Sequence, residues 1–121
     1  MNKSRYTNEI EYILCAAIWY KDETKVKLND KEQLRLRGFQ PYNIDKGFVV
    51  TGWRHGNVIS IFNALTGLRS VTFGKDSCGE HTQGFLTSCN RFVDRKEGGE
   101  IAFAANQTKE LKTYLFSEDL Y

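Results

Sequence analysis

Runs of hydrophobic residues in the first half of the chain predict two strands. EYILCAAIWY, residues 11–20, is apolar with β-branched and aromatic side chains, which favours a buried central strand, although the pattern alone also permits a helix. GFVVTGW, residues 47–53, is the clearest strand pattern in the chain. The charged segment between them, residues 21–46, alternates polar and apolar residues in KVKL and QLRLR. This alternation predicts either a solvent-facing hairpin or a mobile loop.

The segment after the second strand has the periodicity of a helix. Four of its apolar residues recur at helical spacing: Val58, Ile59, Phe62 and Leu65. Gly67 follows as a natural stop after Thr66, because glycine readily adopts the left-handed conformation that ends many helices. We therefore predict a helix over residues 57–66.

A further strand and a second helix are expected later in the chain. GFLTS, residues 84–88, predicts the strand, and DRKEGGEIAFAANQ, residues 94–107, predicts the helix. Asp94 and Glu97 have the spacing of a capping box at its start. The glycine pair at positions 98 and 99 weakens a helix, so it indicates either close approach of another backbone or simple tolerance.

These elements predict an α+β fold, a small, mostly antiparallel sheet packed with two helices. The length of 121 residues suits a single domain, 1–121. The tail TYLFSEDLY, residues 113–121, alternates bulky apolar residues with acidic ones, and we expect it to dock on the body of this domain.

Charge and cysteine content exclude several classes of function. The net charge is only +2, which argues against duplex nucleic acid as a binding partner. The cysteines, Cys15, Cys78 and Cys89, are odd in number and lack zinc spacing, so we expect reduced thiols in the cytoplasm and no metal. The N-terminus lacks a signal-peptide pattern, and the longest apolar run is too short to span a bilayer, so no membrane association is expected.

Two corners of the chain concentrate hydrogen-bonding and cationic side chains where a predicted strand gives way to a predicted helix. They are TGWRHGN, residues 51–57, and TQGFLTSCNRFVDRKE, residues 82–97. Helix N-termini attract anions, arginine pairs with phosphate oxygens, and aromatic rings stack on bases. The corners therefore suit a nucleotide-like ligand, with these candidate binding residues: Arg54, His55, Phe85, Thr87, Asn90, Arg91 and Arg95.

Structural and catalytic interpretations of the same residues remain open. Asp94 is expected to cap a helix, Phe85 and Phe92 suit a core, and Arg95 suits a solvated helix surface. Cys89 and His81 could instead form a thiol–imidazole dyad that cleaves a nucleotide messenger. A third alternative is a protein-interaction module whose polar corners only cap helices.

Three segments together resemble a known family. They are GFVVTGWRHGN (47–57), TQGFLTSCNRFVDRKEGGEIAFAANQ (82–107) and LFSEDLY (115–121). This set resembles the phage-encoded Thoeris anti-defense family, the cyclic ADP-ribose sponges. The resemblance implies a phage protein that acts without a cofactor in the host bacterial cytoplasm.

The same resemblance implies a function by sequestration, not by catalysis. Members of that family bind cyclic ADP-ribose isomers made by bacterial TIR-domain proteins and leave them intact. Some are also expected to bind cyclic di- or trinucleotides at separate sites. The family self-associates as a dimer or a dimer-based higher oligomer, which implies a ligand site near an interface between protomers.

Overall fold

The fold is described by a computed structural model over residues 10–26 and 28–121. In chain order its elements are β1 (Ile13–Tyr20), α1 (Asp30–Arg37), β2 (Phe48–Gly52), α2 (His55–Thr66), β3 (His81–Thr87), β4 (Phe92–Asp94), α3 (Arg95–Ala104) and a 3₁₀ turn (Ser117–Asp119). The predicted strands at 11–20, 47–53 and 84–88 and the predicted helices at 57–66 and 94–107 are therefore confirmed, with shifted ends.

The described strands form one antiparallel sheet in the order β2-β1-β3-β4. β1 is central, as its continuous apolar run predicted, and pairs with β2 on one side and β3 on the other. Helices α2 and α3 pack on the sheet, so the predicted α+β class is confirmed. Gly67 ends α2 with φ of 75°, the left-handed conformation expected for that position.

Each packed helix covers its own part of the core. Under α2, the Tyr20 ring stacks on Phe62 with centroids 3.8 Å apart. Under α3, Phe85 and Leu115 are fully buried in one cluster with Ala102. Because Leu115 belongs to the tail, its burial confirms that the tail docks on the body of the domain.

The glycine pair in α3 lets the tail and the sheet approach the helix closely. A Cβ atom at Gly99 would lie 2.1 Å from the carbonyl oxygen of Lys112. A Cβ at Gly98 would lie 3.1 Å from the Phe85 ring. Gly99 therefore marks close approach of another backbone, the first of the two sequence interpretations, and Gly98 makes room for the Phe85 side chain.

The charged segment before β2 differs from its prediction. Residues 30–37 form helix α1 where a hairpin or a mobile loop was expected. The side chain of Asn29 accepts a hydrogen bond of 2.8 Å from the Glu32 N–H, and Asp30 and Glu32 lie in the first turn. Capping and the helix dipole thus favour a helix where the alternating pattern favoured a strand.

Candidate functional site

The sequence-predicted site residues separate into two groups along β3. Arg54, His55 and Arg95 lie near Gln83 and Gly84, close to the start of that strand. The second group, Thr87, Asn90 and Arg91, lies at and beyond its end. Phe85 stands between the groups, where it is completely buried in the core. The candidate residues therefore do not build one site within a single chain, and Arg95 of the second corner lies with the residues of the first.

The second corner is a hairpin, which corrects the prediction of a strand-to-helix corner. The N–H of Thr87 donates to the Arg91 carbonyl at 2.9 Å, and the N–H of Asn90 donates to the Thr87 carbonyl at 3.0 Å. Asn90 has φ of 58°, the left-handed position of a three-residue hairpin loop. Asparagine is one of the few residues that tolerate this conformation, so the turn itself explains Asn90. Asn90 and Arg91 precede β4 and do not lie at a helix N-terminus.

Arg91 is held by carboxylates of the protein itself. Its Nε and Nη2 atoms each lie 2.9 Å from an oxygen of Glu11, whose side chain is 1% exposed. Glu97 accepts a further bond from Nη2 at 3.1 Å, and the Thr87 hydroxyl donates to Glu11 at 2.5 Å. The hydrogen bonds to Glu11 raise the pKa of Arg91, so it stays charged. Thr87 and Arg91 therefore join the start of β1 to the β3–β4 hairpin.

Structural interpretations also hold for three other residues of this corner. The Asp94 carboxylate accepts a 2.8 Å bond from the Glu97 N–H and caps α3, as the capping box predicted. Phe85 and Phe92 are buried, which confirms the core interpretation. The faces of these rings are packed against protein and offer no stacking surface in this conformation.

The first corner keeps an open helix N-terminus. Arg54 is the N-cap of α2, and none of the described residues supplies a side-chain cap or an acidic group in the first turn. A Cβ placed on Gly56 would meet no atom within 4 Å. By contrast, α1 and α3 are capped by Asn29 and Asp94 and carry acidic residues in their first turns. The start of α2 is thus the accessible positive helix end in the described part of the chain.

Arg54 lies beside two exposed rings at this helix end. Its Cζ atom is 4.9 Å from the Trp53 ring centroid and 5.4 Å from that of Tyr121. Nη2 donates a hydrogen bond to the Tyr121 carbonyl, and Nη1 faces a Glu118 carboxylate oxygen at 3.7 Å. Nη1 is buried and makes no hydrogen bond to any described residue. Arg54 therefore retains hydrogen-bonding capacity that the fold does not use.

His55 has a structural role behind this helix end. Its Nε2 atom lies 2.7 Å from the Gly84 carbonyl, and its ring meets Phe85 edge-on with centroids 5.1 Å apart. Burial lowers the pKa of His55, and the nearby charge of Arg95 lowers it further. A neutral imidazole that donates to a backbone carbonyl joins α2 to β3 and is not placed to contact a ligand through Nε2.

Arg95 links α3, β3 and the tail. Nη1 donates to the Leu115 carbonyl at 2.8 Å, and Nη2 donates to the Gln83 side chain at 2.6 Å. The guanidinium also covers the Phe116 ring at 4.4 Å from its centroid. Burial lowers the pKa of Arg95, so this residue is not the solvated surface charge that one sequence interpretation favoured.

The alternative catalytic pair is not assembled. His81 begins β3 and Cys89 follows its end, and the strand between them spans about 20 Å at ~3.4 Å per residue. The thiol beside His81 is Cys78, with Sγ 3.4 Å from Nδ1. That nitrogen also lies 2.9 Å from the Gly79 carbonyl, to which only a protonated Nδ1 can donate, so it has no lone pair for the thiol. Burial raises the pKa of Cys78, which disfavours a thiolate.

Over residues 10–26 and 28–121, no three His, Cys, Asp or Glu side chains are grouped to hold a metal ion. None of the helices in these ranges has the length and apolar character needed to cross a membrane.

Two concave surfaces lie away from the start of α2. An apolar groove of about 750 Å³ runs between α1, β2 and α2, and no predicted site residue lines it. A cavity of about 430 Å³ beside the β3–β4 hairpin is lined in part by Thr87 and Asn90. Asn90 is partly exposed there, whereas Thr87 is completely buried and Arg91 is held by carboxylates of the protein.

Sequence reasoning missed the partners that the tail brings to the first corner. Glu118 and Tyr121 contact Arg54, and Phe116 contacts Arg95. The segment LFSEDLY was recognised as distinctive, but no pattern in it indicated which residue it would cover. Contacts between residues this far apart in the chain have no local signal.

The comparisons with known proteins place the chain among phage proteins. A family model described as phage T4 y16D protein matches residues 12–121, which is most of the chain. No curated protein and no solved structure matches it. The chain belongs to the phage T4 y16D protein family.

Proposed function

We propose that this phage protein inhibits bacterial Thoeris immunity by binding and sequestering TIR-derived cyclic ADP-ribose signals without cleaving them. The resemblance of residues 47–57, 82–107 and 115–121 to the cyclic ADP-ribose sponges motivates the ligand. Membership of a phage protein family is compatible with this role. The proposed place of action is the cytoplasm of the host bacterium, where that signal is made.

One observation carries the proposal, the open N-terminus of α2 beside Arg54 and the exposed Trp53 ring. Cyclic ADP-ribose combines a pyrophosphate with riboses and an adenine. The free N–H groups of the first helical turn and the guanidinium of Arg54 suit the pyrophosphate oxygens. Trp53 is 66% exposed, so its indole can stack on the adenine. These complementary groups lie next to each other in the chain and in space.

Sequestration suits this site better than cleavage does. The helix end and Arg54 bind anions but include no nucleophile, and Cys89 and His81 lie at opposite ends of β3. A sponge works by affinity alone, and a nanomolar dissociation constant corresponds to about −12 kcal/mol. The alternative enzyme needs a thiolate beside a base, and the Cys78 thiol beside His81 is disfavoured as a thiolate by burial.

A titration followed by recovery of the ligand tests the proposal. Cyclic ADP-ribose isomers are titrated into the protein by calorimetry, with linear ADP-ribose as the control ligand. The complex is then heated and the released nucleotide is analysed by mass spectrometry. We expect tight binding of a cyclic isomer and release of unchanged ligand. A cleaved product would establish the enzyme alternative, and no binding of any cyclic isomer would refute the sponge.

Matched variants locate the site. Trp53→Ala removes the proposed stacking surface, and loss of one base stack corresponds to about 5- to 150-fold weaker binding. Phe73→Ala is the control, because Phe73 is 88% exposed and lies in the loop after the other end of α2. Both variants should melt close to the wild-type temperature. Equal affinities for the two variants would place the ligand elsewhere.

We also propose that the protein self-associates as a dimer or a dimer-based higher oligomer. Exposed Phe39 and Leu65 line the apolar groove between α1 and α2, and such a surface favours contact between proteins. Light scattering of the free and ligand-bound protein tests this assembly.

Cyclic di- and trinucleotides are proposed as a second ligand class at separate sites. Binding of one that leaves the affinity for cyclic ADP-ribose unchanged supports it, and competition contradicts it.

A further inference from the structure

The C-terminal segment, residues 115–121, is anchored to the domain by its backbone and by three packed residues. Leu115 and Ser117 are buried, and Leu120 packs against the same core cluster as Phe85. The N–H groups of Leu120 and Tyr121 both donate to the Ser117 carbonyl, at 3.1 and 3.2 Å. The course of this segment across the start of α2 is therefore fixed by packing and by its own turn.

Two other side chains of the C-terminal segment lie on the surface formed by Arg54, Trp53 and the start of α2, here called the Arg54 site. The Tyr121 ring stacks on Trp53 with centroids 6.2 Å apart and planes 11° from parallel, and its hydroxyl donates to the Trp53 carbonyl. The Glu118 carboxylate lies 3.7 Å from Arg54 Nη1 and is 71% exposed. A flat ring thus lies against part of the indole, which stays 66% exposed, and a carboxylate faces the guanidinium.

We propose that Tyr121 and Glu118 occupy the base and phosphate positions of the Arg54 site, so that an anionic nucleotide must displace both side chains to bind. This inference rests on the proposed function for the identity of the nucleotide, but not for the displacement itself. The ring of Tyr121 stands where a base would stack on Trp53. The carboxylate of Glu118 stands where a phosphate oxygen would meet Arg54.

Displacement of Glu118 from Arg54 is inexpensive, whereas displacement of Tyr121 costs its stack on Trp53 and one hydrogen bond. The contact between Glu118 and Arg54 is longer than a hydrogen bond, and exposed ion pairs of this kind contribute little. Arg54 Nη1 makes no hydrogen bond to any described residue, so a phosphate oxygen would give this nitrogen the hydrogen bond that it lacks. Rotation of two side chains suffices, because Leu115, Ser117 and Leu120 hold the backbone in place.

Nuclear magnetic resonance with ADP, which carries both a base and phosphates, tests the displacement directly. The indole N–H resonance of Trp53 reports whether Tyr121 lies against its ring, and a Trp53→Phe variant assigns that resonance. The indole of Trp19 donates to the Lys46 carbonyl at 2.8 Å and is an internal reference. We expect ADP to bring the Trp53 resonance of the wild type to the position that it has in ADP-bound Tyr121→Ala. The Trp19 resonance should stay in place.

The affinities of variants that lack the Glu118 charge or the Tyr121 ring provide the second measurement. Glu118→Gln should tighten pyrophosphate binding about two- to fivefold, since an exposed ion pair no longer competes. Tyr121→Ala should tighten binding of ADP about two- to twelvefold, the range of one aromatic pair. Glu110→Gln and Tyr114→Ala make the same chemical changes at exposed positions of the tail outside the Arg54 site, and they should leave both affinities unchanged.

The outcomes separate this inference from the proposed function. Weaker binding by Glu118→Gln and Tyr121→Ala would show that these side chains hold the ligand, and would overturn the displacement. A Trp53 resonance that differs between the ADP-bound wild type and ADP-bound Tyr121→Ala would overturn it as well. Displacement by ADP together with no binding of cyclic ADP-ribose would retain this inference and refute the sponge.

Discussion

The ion pair between Arg91 and Glu11 should be the most sensitive single contact of the fold. Both oxygens of Glu11 accept from the guanidinium at 2.9 Å, and the Glu11 side chain is 1% exposed. Arg91→Ala removes the guanidinium that pairs with both oxygens of this buried carboxylate. Removal of one partner from a buried pair costs about 3–5 kcal/mol of unfolding free energy. This cost is a large part of the ~5–15 kcal/mol that stabilises a typical domain.

Urea unfolding followed by tryptophan fluorescence measures this cost. Lys96→Ala is the matched control on the exposed face of α3 and should cost less than about 0.5 kcal/mol. Arg91→Lys keeps the charge but loses the two parallel bonds, so it should fall between the wild type and Arg91→Ala. A double-mutant cycle with Glu11→Gln isolates the coupling. If Arg91→Ala costs less than about 1 kcal/mol, the carboxylate does not depend on Arg91 and the reasoning is wrong.

Three further changes test other parts of the structure by the same unfolding assay. Asn90→Ala should cost about 1 kcal/mol and Asn90→Gly almost nothing, because glycine adopts the left-handed backbone at φ of 58° without the steric cost that alanine pays. Equal costs would contradict this. Gly99→Ala should cost about 1–3 kcal/mol by collision with the Lys112 carbonyl, whereas Gly56→Ala meets open space and should not destabilise the protein. The folded-state pKa of His55 lies below its ordinary value of 6.5, so the unfolded state binds the proton more readily; stability should fall as pH decreases below about 6.5, and His55→Gln should remove that dependence.

Periodicity predicted most of the sheet and both packed helices, because those elements bury one clear apolar face. β1 is buried along most of its length, and α2 places Val58 and Phe62 in the core, as their spacing indicated. Helix α1 was missed for the opposite reason. The chain around Leu34 is largely exposed, so apolar periodicity carried little information there. The useful signal was local, an asparagine at position 29 followed three residues later by Glu32.

The candidate site was harder to predict, since its contacts join distant parts of the chain. Thr87 and Arg91 looked like free polar groups in the sequence, but Glu11, roughly eighty residues earlier, binds both. Strand β4 has only three residues, Phe92–Asp94, too few to stand out by alternation. The corner around Asn90 therefore resembled the start of a helix although it is the turn of a hairpin.

The guanidinium groups of the three candidate arginines differ in how many of their hydrogen bonds the protein itself provides. This difference indicates which arginine is best able to bind a ligand, independently of any resemblance. Arg91 is bound by two carboxylates, and Arg95 donates to a carbonyl and an amide oxygen. Arg54 alone of the three retains a buried nitrogen without a hydrogen-bond partner in the described chain. A ligand that recruited Arg91 would have to break a buried ion pair, whereas one that recruited Arg54 would have to move only two exposed side chains of the C-terminal segment. The cost of binding therefore favours the start of α2 over the hairpin whichever anionic nucleotide the protein takes.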